Sequence, residues 1–347
     1  MIKILLFSLV FIMSVTTSYA ENTSKLTYLD KYIKIMSVAA NKNIAILTGE
    51  KTVENQSVPV IYISKKISQW KELKLPQDFE VNNYSYGNVI AKKEWFYLAI
   101  KKRSSDKRLF LISKDGVNWG RGETFHQSGE TWVVIGSYKL NKEKIQILWN
   151  GYHYILYNTH HQLPIPVWQS ISSVTNLAPV NVEFNSYCVT KGKIYVSSGA
   201  VGIRGPTPVA YSNNMYYWKY PTLLRPSFKS GNKIYQISCF KNGEVIGTGN
   251  SDGTFFDEPN IRGMIVYSDI DNNGNMSWKR KFVPYPISNA TMAHDHLFII
   301  GWDKKTKSYF YGKKPLSKRL GSPKMAVNNR VIIVGNNVIY EDRLEDK

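Results

Sequence analysis

Two arginines of this chain stand in the same local context, and arginine is a residue type that binds acidic ligands. Arg204 and Arg262 each follow an isoleucine and precede a glycine. A guanidinium is planar and presents paired N–H donors that match the two oxygens of a carboxylate. The repeated triplet indicates that both arginines face the same opening and bind an acidic group there. The alternative is that each arginine begins a strand and forms a salt bridge within its own loop.

Acidic side chains beside the second triplet add another kind of chemistry. Asp252, Asp257 and Glu258 lie within ten residues upstream of Arg262. Two carboxylates about 5–10 Å apart can hydrolyse a glycosidic bond, although the same groups could simply pair with the arginines. Three more side chains are expected near the same opening: Glu123, His126 and Glu130. The predicted ligand-binding residues are Arg204, Arg262, Asp257, Glu258 and His126.

One segment rich in Asp and Asn matches the opening of a calcium-binding loop. Asp269, Asp271 and Asn273 provide oxygens at positions 1, 3 and 5, and Gly274 occupies position 6. Position 12 holds Arg280 where such loops use a bidentate glutamate. A long hairpin of this composition also forms without a metal, so calcium is the weaker of two interpretations. We expect no other cofactor, since the sequence contains no phosphate-binding loop and no zinc-protease motif.

A turn between two strands recurs along the chain and organises the rest of it. In its clearest copy, Ser113 ends an apolar strand and Trp119 opens the next one. Asp115 between them can accept hydrogen bonds from turn amides, and Gly116 can adopt a positive φ. The equivalent tryptophans are Trp70, Trp168, Trp218 and Trp278. The five tryptophans are separated by 49, 49, 50 and 60 residues, and a period near 50 residues with several short strands is typical of a β-propeller.

Seven short apolar strands, most of them ending near a glycine, indicate the number of repeated units. We therefore predict an all-β fold, a seven-bladed β-propeller, formed as a single domain by residues 21–347. In the third unit the tryptophan spacing predicts that Trp168 begins the outer strand. The last unit lacks an outer strand. We predict that residues 24–32 supply it and close the ring, because this pairing removes two exposed sheet edges.

The turn pattern is similar to a repeat of a known family. Ser-x-Asp-Gly-x-x-Trp resembles the Asp-box, or BNR repeat, of sialidase-like β-propellers, although Asn118 stands where threonine is usual and the copy is one residue shorter. This resemblance implies the propeller fold. It also implies that a working sialidase would carry three arginines, an acid/base and a Tyr–Glu pair, with the first arginine in an early Arg-Ile-Pro context. The first arginine here is Arg103, so we expect a member of the family that is not a sialidase.

The first twenty residues have the composition of a secretory signal. Lys3 precedes an apolar stretch at residues 4–15, and Ser-Tyr-Ala at residues 18–20 fits a cleavage site. We expect a mature chain, residues 21–347, that is secreted or periplasmic and has no transmembrane segment; an uncleaved anchor is the alternative. An exported compartment permits a disulfide. Cys188 and Cys239 occupy matching places in adjacent units, so they form either a disulfide or two buried thiols.

The chain is strongly basic, with 45 Lys and Arg against 26 Asp and Glu and a formal net charge of +19. Such a charge attracts acidic glycans and other anionic surfaces, although scattered lysines can also be only a solvated coat. No nucleic-acid-binding motif is present. We predict a monomeric, exported, non-catalytic binding module for an acidic glycan or an envelope or extracellular partner. The alternatives are a glycoside hydrolase and a scaffold for protein assembly.

Overall fold

The computed structural model describes residues 24–73, 83–105, 107–127, 129–140, 143–158, 163–165, 184–197, 209–213, 219, 233–251, 261–270 and 276–344. These residues form seven antiparallel sheets arranged as a ring, so the chain is a seven-bladed β-propeller. The predicted fold class is therefore confirmed. Within the described part of the chain, no helix is both long and apolar enough to cross a membrane.

The first strand, β1 (Lys25–Tyr28), belongs to the last sheet, and the blades then follow in chain order. Blade one contains β2 (Ile33–Ala40), β3 (Ala45–Val53), β4 (Gln56–Ser64) and β5 (Trp70–Leu73). Blade two contains β6 (Tyr84–Lys92), β7 (Trp95–Lys102), β8 (Arg108–Ser113) and β9 (Gly120–Arg121). Blade three contains β10 (Thr124–Gln127), β11 (Glu130–Leu140), β12 (Glu143–Trp149), β13 (Tyr154–Asn158) and β14 (Leu163–Ile165).

The remaining four blades have the same up-and-down order. Blade four contains β15 (Ser186–Thr190), β16 (Lys193–Ser197) and β17 (Ala210–Ser212). Blade five contains β18 (Lys233–Cys239), β19 (Val245–Ser251), β20 (Arg262–Ile270) and β21 (Met276–Val283). Blade six contains β22 (Ile287–Ala293), β23 (His296–Asp303), β24 (Ser308–Tyr311) and β25 (Lys314–Pro315). Blade seven contains β26 (Lys324–Val327), β27 (Arg330–Gly335) and β28 (Val338–Arg343) together with β1.

The ring is closed by the first strand of the chain. Strand β1 pairs antiparallel with β28, in a register that runs from Lys25 opposite Glu341 to Tyr28 opposite Val338. The Leu29 N–H donates to the Asn337 carbonyl at 2.9 Å and extends this contact beyond the strands. The predicted closure by residues 24–32 is confirmed. It gives the last blade its fourth strand and covers a sheet edge that would otherwise be free.

Blade three differs from the prediction in two places. Strand β10 pairs with β11 and adds a fifth strand to the sheet, which the repeat pattern did not indicate. The outer strand is β14, where Leu163 lies opposite Asn158, so the prediction that Trp168 begins this strand is wrong. A hairpin register depends on the residues that pair, whereas the spacing of tryptophans only measures the length of a unit. Trp168 and Trp218 lie outside the described residues.

The core lies between neighbouring blades, where their sheets pack face to face. The side chains of β27 are buried along its whole length, because both faces of its sheet are covered. Ile332 and Val334 pack with blade one, and Val331 and Ile333 pack on the side of blade six. Phe110 of blade two and Trp149 of blade three pack with their ring centres 5.7 Å apart. First strands of adjacent blades also touch, for example β2 with β6 and with β26. Burial between blades therefore joins seven small sheets into one body.

The Ser113–Trp119 turn has the internal bonds that its residue types predict. Asp115 Oδ1 accepts from the Val117 N–H at 2.9 Å and from the Asn118 N–H at 2.8 Å. These bonds hold the pKa of the Asp115 carboxyl well below its usual value. Trp119 Nε1 donates to the Gly116 carbonyl at 3.0 Å.

Each of the described tryptophan turns rests on the preceding blade. A Cβ at Gly116 of blade two would lie 2.8 Å from the Ile46 Cδ1 of blade one. Trp278 of blade five packs on Tyr195 and Tyr211 of blade four, at 6.3 and 6.4 Å between ring centres. Trp70 and Trp278 pair with the serines Ser64 and Ser268, so these two indoles occupy equivalent positions.

In blade one the same contact closes the ring. The turn after Ser64 has no aspartate, and a carboxylate of blade seven takes its place. Glu341 Oε2 accepts from the Ser68 N–H at 2.7 Å and from Trp70 Nε1 at 3.1 Å. Glu341 Oε1 lies 3.1 Å from Arg330 Nε, and Arg330 Nη2 donates to Ser64 Oγ at 2.8 Å. A fully buried carboxylate thus joins the first blade to the last.

The two cysteines form a disulfide. Cys188 on β15 and Cys239 on β18 are bonded, with their Cα atoms 5.6 Å apart, within the range that disulfide geometry requires. Of the two alternatives that the sequence left open, the bond between adjacent blades is the one present. The disulfide cross-links β15, the first strand of blade four, to β18, the first strand of blade five.

Candidate functional site

The two ends of the ring carry different connections. We call the end with the connections between β3 and β4, β12 and β13, and their equivalents the upper face; it includes residues 54–55, 150–153, 304–307 and 336–337. The opposite end, the lower face, carries the turns that lead to the outer strands, such as 65–69 and 114–118. Of the two predicted arginines, Arg262 begins β20 at the upper face.

Only part of the predicted site lies within the described residues. Arg204, Asp252, Asp257 and Glu258 lie outside them. Arg262 begins β20, and its guanidinium carbon lies 4.8 Å from the centre of the Phe282 ring. Arg280 lies 4.9 Å from the same ring. Arg262 therefore stacks on an aromatic ring of its own blade. That Arg262 and Arg204 bind one acidic group together stays a prediction.

Two of the expected side chains from the blade two to blade three connection have described partners. His126 is exposed on β10, and its Nδ1 lies 3.3 Å from Thr131 Oγ1. Glu130 begins β11, and its Oε2 accepts from Asn150 Nδ2 at 2.5 Å. The third, Glu123, is exposed. Glu130 is thus the member of this group that connects to a loop of the upper face.

That loop is organised by a buried asparagine. Asn150 follows β12 and is only 1% exposed. Its Oδ1 accepts from the N–H groups of Tyr152 at 3.0 Å and His153 at 2.8 Å. Its carbonyl accepts from Arg108 Nη1 of blade two at 3.0 Å. Because the polar groups of this side chain are bonded, the tight loop has one well-defined conformation.

The loop presents an aromatic ring to solvent. Tyr152 is 59% exposed, and the guanidinium of Arg108 lies 4.9 Å from its ring centre, in cation–π contact. His153 Nδ1 lies 3.1 Å from Asn185 Oδ1 of blade four. Asn88 Nδ2 of blade two donates to the Gly151 carbonyl at 2.8 Å. We call this surface the Tyr152 platform; it consists of Arg108, Glu130, Asn150, Tyr152, His153 and Asn185.

The repeat pattern contained a signal for this platform that strand counting missed. Asn150 and Asn250 stand 100 residues apart, which is two periods, and both are buried. Asn150 directly follows β12, and Asn250 is the last residue but one of β19, the equivalent strand of blade five. Asn250 bonds the backbone of Ile287 through both side-chain atoms, at 2.7 and 3.0 Å. At the matching position of blade five, the buried asparagine therefore bonds the first residue of β22 in blade six, whereas Asn150 bonds the loop that follows it.

Of the three residues predicted to bind calcium, only Asp269 lies within the described residues. Asp269 lies on β20, and its Oδ2 accepts from Lys279 Nζ at 2.5 Å, which raises the pKa of that lysine. Asp271 and Asn273 lie outside the described residues. Among the residues that the structure does describe, no group of three His, Cys, Asp or Glu side chains could hold a metal ion. The calcium site stays a prediction.

The ring of sheets and its pinned upper loops define the class of protein as a seven-bladed β-propeller. No protein-family model and no curated protein matches this chain. Among solved structures, it is similar to the β-propeller domain of the Trilobed protease from Pyrococcus furiosus, described as having an open velcro topology. That match has a TM-score of 0.49 and 8% identity, covering 92% of this chain and 97% of the other.

Two further solved structures show the range of proteins with this likeness. The acylaminoacyl peptidase of Pyrococcus horikoshii matches with a TM-score of 0.46 and 8% identity. The match covers 92% of this chain and 54% of the peptidase, so this chain spans about half of the peptidase's length. A family-43 β-1,3-galactosidase has a TM-score of 0.32 at 11% identity, covering 93% of both chains. At these identities the likeness concerns the fold alone.

Proposed function

We propose that the protein is an exported, non-catalytic propeller that binds an acidic glycan on its upper face, with the Tyr152 platform as a central part of the site. The observation that carries this is an exposed aromatic ring held by a buried asparagine. A tyrosine supplies a large and rigid contact area at low entropic cost. The C–H face of a sugar ring packs on such an aromatic surface, while hydroxyls bond to the groups around it.

The charges of the platform suit an acidic sugar. Arg108 lies against Tyr152, so a carboxylate or sulfate on a stacked sugar can reach its guanidinium. The net charge of +19 adds long-range attraction to a polyanion. Arg204 and Arg262 remain candidate anchors on neighbouring blades of the same face. Export and a relationship to the sialidase-like propellers are parts of the same proposal, supported by residues 1–20 and by the Ser113–Trp119 turn.

Binding is favoured over hydrolysis by the carboxylates of the platform. Its described residues include one carboxylate, Glu130, which already accepts from Asn150. Glycoside hydrolysis uses two carboxylates that flank the bond to be cleaved. The second candidate, a glycoside hydrolase, would have to draw its acids from Asp252, Asp257 and Glu258. A scaffold for protein assembly would capture proteins in place of glycans.

The test is an array of acidic and neutral glycans probed with the mature chain. We expect capture of uronic-acid or sulfated glycans, at least tenfold weaker for Tyr152→Ala and nearly unchanged for Tyr152→Phe, which keeps the ring. Tyr32→Ala is the matched control, because this tyrosine is 54% exposed outside the platform. Arg262→Ala measures the contribution of the predicted anchor. Equal capture by the wild type and Tyr152→Ala would remove the platform from the site.

A panel of chromogenic glycosides separates the second candidate. Sugar release by the wild type that is abolished by Glu258→Gln would replace the binding proposal with hydrolysis. Capture of proteins but of no glycan would favour the scaffold. Sequencing the amino terminus of the exported protein tests whether residues 1–20 are removed.

A further inference from the structure

A cavity lies on the lower face, where the ring closes between blades seven and one. Its volume is about 430 Å³, and five cationic side chains line it: Lys25, Lys65, Lys66, Arg330 and Arg343. The described residues of its lining include no carboxylate. We call it the closure cleft. It lies at the opposite end of the ring from the Tyr152 platform and is independent of the function proposed for that surface.

The closure cleft exists because distant parts of the chain meet there. Lys25 begins β1, and Lys65 and Lys66 belong to the turn after β4. Arg330 and Arg343 lie opposite each other at the ends of β27 and β28. These charged residues are therefore held near one another by strands and by a turn that is bonded to Glu341. No repeated pattern in the sequence places them together.

The charge of the closure cleft is largely uncompensated. Arg330 is buried, 3% exposed, and lies 3.1 Å from the fully buried Glu341. The other oxygen of that carboxylate accepts from the Ser68 and Trp70 N–H groups, so its partners lie in the wall of the cleft. Among the described residues that line or pair with the lining of the cleft, one negative charge against five cations leaves an excess of four positive charges. A concave surface lined by one sign of charge concentrates its field on the ligand that enters.

The arrangement suits an oxyanion with several oxygens. Arg343 presents a planar fork that can bind two oxygens, and three lysines add mobile single donors. Gln69 and Asn329 add neutral polar groups to the lining. A single small ion leaves most of this volume empty, since a water-sized molecule takes about 30 Å³ in the liquid. The size fits a phosphate carried on a small organic group.

We infer that the closure cleft binds a phosphomonoester, with Lys25, Lys65, Lys66 and Arg343 contacting the phosphate and Arg330 holding the wall in place. Arg330 is a positioning residue, because its guanidinium is already bonded to Ser64 and paired with Glu341. The phosphate can belong to a soluble metabolite or to a lipid headgroup. Both offer the same dianionic group to the same cations.

The experiment is calorimetric titration of the mature wild-type chain at constant ionic strength near 0.15 M, where long-range attraction is screened. The soluble probes are inorganic phosphate and glycerol 3-phosphate, with sodium acetate as the control anion. Vesicles of phosphatidylcholine with or without phosphatidic acid form the lipid arm. We expect glycerol 3-phosphate to bind at least tenfold more tightly than acetate. Binding to phosphatidic-acid vesicles alone would assign the phosphate to a lipid.

Matched variants separate the closure cleft from the general charge of the protein. The triple variant Lys65→Gln, Lys66→Gln, Arg343→Gln should lose at least tenfold in phosphomonoester affinity. The control Lys305→Gln, Lys307→Gln, Lys313→Gln removes the same charge at exposed sites elsewhere and should retain affinity. Equal losses in both triples, or no preference over acetate in either arm, would overturn the inference. All six substitutions are at exposed side chains, and thermal unfolding without ligand checks that both variants fold.

Discussion

The carboxylate that joins blade seven to blade one should be among the most sensitive side chains of the protein. Glu341 is fully buried, and its two oxygens have different partners. Oε1 forms an ion pair with Arg330 Nε at 3.1 Å, and Oε2 accepts from the N–H groups of Ser68 and Trp70. In Glu341→Gln one oxygen becomes an NH₂ group. This NH₂ group faces either the Arg330 guanidinium or the N–H groups of Ser68 and Trp70, which it cannot accept from, and Arg330 stays buried without a counter-charge.

The size of the effect follows from what is left unpaired. Breaking a buried ion pair by removing one charge typically costs about 3–5 kcal/mol. The unfolding entropy is about 2.1 cal/mol/K per residue near 60 °C, so a folded chain of roughly 320 residues has about 0.7 kcal/mol/K. We therefore expect the midpoint of thermal unfolding to fall by about 4–7 °C, and the urea midpoint to fall with little change in slope.

Asp115→Asn is the matched control, since Asp115 accepts bonds from its own turn but is exposed. We expect it to cost only about 1–2 kcal/mol. A double-mutant cycle with Arg330→Met and Glu341→Leu isolates the pair. The double variant should be less destabilised than the sum of the single variants by about 2 kcal/mol or more. If Glu341→Gln costs no more than Asp115→Asn, or if the cycle shows no coupling, blade one is not held to blade seven through this carboxylate.

Three further predictions concern other contacts between or within blades. Replacing Cys188 and Cys239 by serine opens a disulfide with a sequence separation of 51 residues and should cost up to about 4 kcal/mol in urea unfolding, whereas a reductant should leave the variant unaffected. Gly116→Ala should lower the free energy of unfolding more than Gly192→Ala does, by about 1 kcal/mol or more. Both glycines have a positive φ, near 70°, but only the methyl group at position 116 would contact Ile46. Equal losses of stability would show that the turn does not pack tightly on blade one. Burial lowers the pKa of Lys92, whose Nζ lies 4.4 Å from the Tyr187 ring centre, to about 8. An unfolded lysine has a pKa near 10.4, so the unfolded state binds more protons between these values and the stability contributed by Lys92 rises with pH there. The difference in unfolding free energy between the wild type and Lys92→Met should therefore shift in favour of the wild type from pH 8 to pH 10.5, and a flat difference would contradict the buried environment of the amine.

The repeated parts of this fold could be predicted from the sequence because they depend on local patterns. The missing outer strand of the last unit led to the pairing of β1 with β28, and matching positions placed Cys188 beside Cys239. Trp70 and Trp278 stand in one register because each pairs with a serine.

The features that were missed depend on contacts between distant residues. Glu341 and Trp70 are separated by 271 positions, and nothing near either residue marks the other. Strand β10 is an extra strand, and the outer strand β14 begins earlier than the period of the repeat predicts. An argument from the average period cannot detect such local differences. The same holds for the Tyr152 platform, whose groups come from three blades. Composition indicated an anionic ligand but not the surface that receives it.

The pairing of the first strand with the last has a consequence for how the protein is made. Tyr28 meets Val338, so the opening segment must wait without its neighbour until 310 further residues have left the ribosome. Bringing two such distant points together costs about 5 kcal/mol of chain entropy, which only the finished junction can offset. Synthesis that stops before Val338 would therefore leave the ring open, with the first and last blades uncovered and a strand edge unpaired. Such an incomplete chain could associate with other nascent chains through these surfaces.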